Sequence, residues 1–151
     1  MLSPILNPMP PAEPVLSLSP LTLAAEPVFI ALFSCPQVMQ YIQPPLSVAE
    51  AQQRFGQMLQ LSTGPAYYLV NHSPGQQSIG LAMLNILPEQ GCAEIGRMLL
   101  PAWQQRGLGT ALGQLLLQSA STDSRVTQLT TRIHSNNTPA IASARKLGFV
   151  P

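Results

Sequence analysis

Residues 104–110 read Gln104-Gln105-Arg106-Gly107-Leu108-Gly109-Thr110. A strand-like stretch, Cys92–Leu100, precedes them, and a helical apolar pattern follows through Leu108, Ala111, Leu112, Leu115, Leu116 and Ser119. A helix start leaves about four amide N–H groups without intrahelical partners, and its dipole adds roughly +0.5 charge there. Gly107 and Gly109 carry no Cβ, so a ligand can approach the backbone closely. Arg106 brings a full positive charge. The turn therefore has the chemistry of a phosphate or pyrophosphate cradle. Read otherwise, its glycines make an ordinary turn.

Other phosphate motifs fail on spacing. A dinucleotide fold needs Gly-x-Gly-x-x-Gly directly after the strand and an acid about twenty positions on. Here Gly107 stands seven positions after Leu100, Gly113 falls one position late, and Asp123 precedes its strand. A phosphate loop of the Gly-Lys-Ser/Thr kind is absent from the sequence.

The rest of the chain supplies the setting. Its 151 residues suffice for one domain with a core. Residues 1–14 hold Pro4, Pro8, Pro10, Pro11 and Pro14, which predicts a disordered tail ahead of a domain over 15–151. Val15–Leu23 reads as a strand, and Glu26-Pro27 opens a helix through Phe29, Ile30 and Phe33. Pro36 opens a short turn of helix to about Tyr41. Ser47-Val48-Ala49-Glu50 is a capping box for a helix to about Leu61, with Phe55, Met58, Leu59 and Leu61 as its buried stripe. Strands over 66–71, 77–87 and 92–100, joined by short turns, predict an antiparallel meander. A strand over Arg125–His134 follows the 107 helix and should lie parallel to the Cys92–Leu100 strand. Thr138-Pro139 starts a last helix that Gly148 caps. The fold class is α+β, with a central mixed, mostly antiparallel sheet flanked by helices.

Charge and composition narrow the function. Charged residues are 9% of the chain and the net charge is +1, which argues against nucleic acid as a partner. The charge is uneven. Residues 1–90 hold one arginine against four carboxylates, a balance of −3, and residues 91–151 hold six cations against two acids, a balance of +4. An anionic ligand suits the second half. Cys35 and Cys92 stand far apart without metal-like spacing, and no metal is expected. The N-terminus has no positive leader and no run is long and apolar enough for a membrane helix, so a cytoplasmic protein without a membrane partner is expected.

Two stretches carry a resemblance to a known family. Glu94-Ile95-Gly96-Arg97-Met98-Leu99-Leu100-Pro101 followed by Gln104-x-x-Gly107-x-Gly109 resembles the acetyl-CoA signature of the GNAT N-acetyltransferases. Asn136-Asn137-Thr138-Pro139-Ala140 with Ala144-Arg145-Lys146-Leu147-Gly148-Phe149 resembles their second signature. Leu21-Thr22-Leu23 and Val38-Met39-Gln40-Tyr41-Ile42 are similar to the branch of ribosomal-protein-alanine acetyltransferases (RimJ/RimL type). The resemblance spans residues 16–151.

It implies the GNAT fold, acetyl-CoA as cosubstrate and transfer of acetyl to a primary amine, either a protein N-terminus or a small molecule. By position, the amides of Gln104, Gln105, Arg106, Gly107, Leu108 and Gly109, with Thr110, hold the pyrophosphate. Met98 and Leu99 pair through their backbone with the pantetheine arm, where the 92–100 and 125–134 strands splay apart. Asn137 bonds the same arm, or else only caps the last helix. Glu94 is the expected general base, His134 the second choice, and His72 a solvated turn residue. Many members place a tyrosine four residues before the last-helix glycine as general acid, and this chain has Ala144. Relatives continue past Gly-Phe into one or two strands, so the sheet is expected to lack its last strands or to be completed by a second copy in a homodimer. The alternative function is a non-catalytic acyl-CoA sensor or partner-binding domain of the same fold.

Overall fold

The computed structural model describes residues 15–73 and 76–151. The proline-rich stretch 1–14 lies outside the described residues. Five strands form one sheet in the order β1-β2-β3-β4-β5: β1 Leu16–Pro20, β2 Ala66–His72, β3 Gln77–Leu87, β4 Cys92–Leu99 and β5 Gln128–Thr131. The first three pairings are antiparallel and β4 pairs β5 in parallel. Among the described residues, five helices flank it: α1 Glu26–Phe33, α2 Pro36–Met39, α3 Val48–Leu59, α4 Leu108–Ser121 and α5 Thr138–Lys146. This is the GNAT arrangement that the two signatures imply.

The helix starts follow local chemistry. Ser47 Oγ accepts from the Glu50 amide at 3.1 Å, and the Glu50 carboxylate accepts from the Ser47 amide at 3.4 Å, closing the capping box of α3. Prolines occupy the first turns of α1, α2 and α5, where a missing N–H costs nothing.

Each sheet face has its own core. Val70, Ala82, Leu84, Ala93 and Ile95 pack against Leu108, Leu112, Leu116 and Ala120 of α4. On the other face Leu69 and Leu81 pack against Phe29 and Leu32 of α1 and Phe55 of α3. Ile79 joins the α4 side because the β2–β3 register slips there: Val70 faces Gly80 but Asn71 faces Ser78, which leaves Ile79 as the extra residue of a bulge.

Some expected boundaries move. β1 ends at Pro20, and a 3-10 turn over Leu23–Ala25 leads into α1 instead of more strand. Leu61 is 58% exposed, because α3 has ended by Gln60, so the buried stripe keeps Ala51 and Phe55 with Met58 and Leu59 at its margin. The largest change is in β5, expected over 125–134 and paired only over 128–131. Before it, Asp123 holds a turn: its carboxylate accepts from the Arg125 amide and pairs with the Arg125 guanidinium at 2.7 Å. Those bonds pull the Asp123 carboxyl down to about 2. Their contribution is present above the free value of 3.8 and is lost as pH falls through about 2. After it, the chain leaves the sheet at Arg132 to turn into α5, with the Asn137 amide on the His134 carbonyl at 2.9 Å.

Gly80 is required by close approach. A Cβ built there would strike the Met98 carbonyl oxygen across the β3–β4 pair. Alanine in a strand interior is ordinarily favoured over glycine by roughly 0.5–1 kcal/mol. Gly80→Ala is expected to reverse that sign and destabilise the protein by about 1–3 kcal/mol in urea or thermal unfolding. A neutral or stabilising result would show that β3 and β4 do not need this contact.

Candidate functional site

β4 outlasts its neighbour. Its register with β5 ends at Ile95 opposite Thr131, while β4 runs on to Leu99. The backbone alternation decides which groups the extra residues offer. The Ile95 carbonyl accepts from Thr131 Oγ1 at 3.1 Å, so Ile95 faces β5. The Leu100 amide donates to the Ile79 carbonyl at 2.9 Å, so Leu100 faces β3. Arg97 and Leu99 therefore present their N–H and C=O to the open edge, and Met98 turns its own toward β3 and Gly80. This corrects the expectation for Met98. Its backbone belongs to the β3–β4 ladder, and the edge pair is Arg97 with Leu99.

The signature turn lies at the end of that edge. Pro101–Trp103 forms a 3-10 turn, then Gln105 (φ 59°) and Gly107 (φ 77°) take left-handed backbone angles before α4 begins. A side chain at 107 would be strained there by about 1–2 kcal/mol. Gly107 is the N-cap, no side chain caps it, and no acid stands in the first turn of α4. The positive end of the helix is thus left unneutralised. Leu108 is buried against the α4-side core and fixes the helix start.

The side chains of the turn are engaged locally. Gln104 Nε2 donates to the Leu99 carbonyl at 3.0 Å, and Gln104 Oε1 accepts from Gln37 of α2 at 3.4 Å. Arg106 sits 4.9 Å over the Trp103 ring, and Trp103 packs against His72 at 4.6 Å. His72 is therefore the end residue of β2, half-buried on Trp103, and not a solvated turn residue. Thr110 Oγ1 bonds Ser143 Oγ of α5 at 3.0 Å. Asn137 Oδ1 accepts from the Ala140 amide at 3.4 Å as the α5 N-cap, which uses none of its N–H donors.

Arg97 is the residue sequence reading missed. Strand alternation puts it on the face of Ala93 and Ile95, toward the helices. Its Nη1 donates to the Gly109 carbonyl (2.6 Å) and to Ser143 Oγ (3.1 Å). One guanidinium thus ties β4, α4 and α5 together directly behind the signature turn. Burial pushes it below the usual arginine value. Among the described residues it has no carboxylate partner, so its charge adds to that of the helix end. The available signal was a cation on the strand register that also carries Ala93 and Ile95.

The acid–base candidates lie on the other bank. Glu94 Oε2 pairs with Arg132 Nε at 3.0 Å, and Arg132 is 90% exposed. Such a pair is worth about 0–1 kcal/mol, so Arg132 does not lock Glu94. His134 follows β5, and its Nδ1 accepts from the Asn136 amide at 3.1 Å. In that bond the neutral ring carries its proton on Nε2, which leaves Nε2–H as a donor. Its ring lies 5.5 Å from Tyr41. Residues 37–41 thus touch Gln104 on one bank of the opening and His134 on the other. Ala144 is buried and offers no proton, and the neighbouring Ser143 hydroxyl is already shared with Arg97 and Thr110. Among the described residues, no three His, Cys, Asp or Glu side chains could hold a metal ion, and no helix is long and apolar enough to cross a membrane.

Arg97→Met keeps length and apolar packing but removes two bonds from a charged donor, each worth about 1.5–3 kcal/mol. It is expected to lower the unfolding free energy by a few kcal/mol and to weaken binding of a pyrophosphate-bearing ligand. Calorimetry with coenzyme A and thermal unfolding check the two effects separately. Unchanged values of both would remove Arg97 from the site.

Residues 16–150 match the family model described as Acetyltransferase (GNAT) domain. No curated protein sequence matches the chain. Among solved structures, the fold is similar to spermidine N-acetyltransferase from Vibrio cholerae in complex with CoA and spermine, at TM-score 0.78 and 20% identity over 90% of this chain and 81% of that one. It is similar to aminoglycoside acetyltransferase AAC(6')-Ib in complex with coenzyme A, at TM-score 0.77 and 18% identity over 89% and 84%. It is also similar to RimL, a ribosomal alpha-N-protein acetyltransferase in complex with coenzyme A, at TM-score 0.74 and 19% identity over 90% and 80%. Identities this low carry the likeness of fold alone; the match over residues 16–150 carries the family, and the chain belongs to the GNAT acetyltransferases.

Proposed function

We propose that this acetyltransferase moves the acetyl group of acetyl-CoA to a primary amine by direct attack of the amine on the thioester. The open β4 edge beside the uncapped start of α4 carries the reading. An extended amide-bearing arm can pair with the N–H and C=O of Arg97 and Leu99 as a further strand would. The Leu99 carbonyl holds Gln104 with one lone pair and keeps a second. The pyrophosphate then meets the amides of Gln104 to Thr110, with Arg106 free to leave Trp103, since an exposed cation–π contact is worth only about 0.5–1 kcal/mol. Asn137 offers its N–H donors to the arm.

In the transfer the amine nitrogen bonds the carbonyl carbon, the carbon–sulfur bond breaks, and the nitrogen loses a proton. Only a neutral amine attacks. An α-amino group near pKa ~8 is about 10% neutral at pH 7, and a lysine near ~10.4 is below about 0.1%. A terminal amine therefore needs modest help. Glu94 takes the proton through Oε1, which the Arg132 pair leaves free, or through a water. With Ala144 at the usual acid position, the thiolate, of free-thiol pKa ~8.5, leaves toward water. The stretches Leu21–Leu23 and Val38–Ile42 support a place in the RimJ/RimL branch, whose acceptors are protein N-termini.

Gly107→Glu puts bulk and negative charge at the pyrophosphate, and CoA binding by calorimetry is expected to fall by at least ~100-fold. Gly107→Asn, which tolerates the left-handed backbone, controls for folding and should retain most of the binding. Unchanged binding in Gly107→Glu would move the cofactor elsewhere. Glu94→Gln should cut kcat by about 10²-fold or more while CoA affinity holds. An unaltered kcat would remove Glu94 as base.

A further inference from the structure

The acceptor side has a cleft of about 380 Å³, lined by residues 39–45 on one wall and His134 on the other. That volume suits a small molecule or the first residue or two of a peptide. Its position rests on the acetyl-transfer reading. The same segment touches Gln104 of the signature turn through Gln37 and His134 through Tyr41, so the cleft lies along the stretch that joins the turn to the residues after β5.

The lining carries no charged side chain. Met39, Tyr41, Ile42, Pro44 and Pro45 supply an apolar and aromatic wall, and Gln40, Gln43 and His134 supply neutral polar groups. Of the described carboxylates, Glu94 serves the reacting amine and none lines the cleft. Glu50 shares a separate groove with Arg54, and Asp123 pairs with Arg125. Glu26 starts α1 and Glu89 lies in the turn between β3 and β4. An ammonium taken from water without a carboxylate partner is costly. The reacting amine escapes that cost by losing its proton, but a second or third ammonium on the same molecule does not.

We infer that the acceptor carries a single primary amine on an aromatic or apolar body and no second cation. Its body packs on the Tyr41 ring, and His134 Nε2–H donates to a neutral polar group beside the amine. This separates the chain from the fold neighbours named for spermidine and for aminoglycosides, which act on polycations. Two sources share the chemistry: a free arylalkylamine and the N-terminal residue of a peptide.

The test measures kcat/KM at saturating acetyl-CoA for 2-phenylethylamine, a peptide with a free N-terminal phenylalanine, and spermidine. At least one of the first two is expected to exceed spermidine by about tenfold or more, and which one leads identifies the source. Tyr41→Ala should raise KM for the preferred amine about tenfold with kcat within a factor of ~3, and Tyr41→Phe should restore it. A preference for spermidine, or a KM indifferent to Tyr41→Ala, overturns the inference. Binding is read separately from the His134 ring NMR signals on adding 2-phenylethylamine or the peptide. Shifts at His134 with 2-phenylethylamine or the peptide but not with spermidine, and no thiol release from any amine, would uphold the cleft's selectivity and sink the transfer reading. No shift with either probe would sink the cleft assignment itself.

Discussion

β4 continues four residues past the point where β5 leaves it, and the site depends on that mismatch. A sheet normally satisfies its backbone groups strand against strand. Here the departure of β5 at Arg132 is forced by α5, which must turn back at His134–Asn137 to pack on α4. The packing is close: Gly113 of α4 admits Leu147, and Thr110 bonds Ser143. The same helix–helix contact that opens the edge therefore also fixes the first turn of α4 beside it. Arg97 closes the arrangement by bonding both helices from the strand between them.

Much of this was legible in local sequence. The capping box at Ser47, the prolines at helix starts and the two glycine-bearing signatures act within a few residues, so they survive without a tertiary frame. What was not legible is set at long range. The end of β5 depends on how α5 meets α4. The Ile79 bulge depends on β2. Met98 and Leu99 could not be told apart until the β3 ladder fixed which carbonyls face inward. His72 looked like a turn residue because Trp103, thirty-one positions later, is its partner. The strand assigned to 125–134 was too long because Asp123 and Asn137 claim its two ends for turns.

Cofactor and acceptor sides are built differently. The site proposed for the cofactor offers backbone groups, which tolerate any side chain that respects Gly80 and Gly107. The cleft proposed for the acceptor is lined by side chains of the 39–45 loop and by His134 after β5, where local patterns are weakest. Glu94 lies between them, one register step inside the point where the strands part. Its partner Arg132 directly follows β5, so the pair sits where the two strands begin to part.

The central claim is that the β4 edge is where coenzyme A binds. Amide hydrogen exchange followed by NMR with and without coenzyme A tests it residue by residue. Arg97 and Leu99 amides should slow by about tenfold or more when the cofactor is bound, as open-edge groups gain partners. The Met98 amide, already in the β3 ladder, should change least. Saturating coenzyme A that leaves Arg97 and Leu99 exchanging at their original rates would contradict the account.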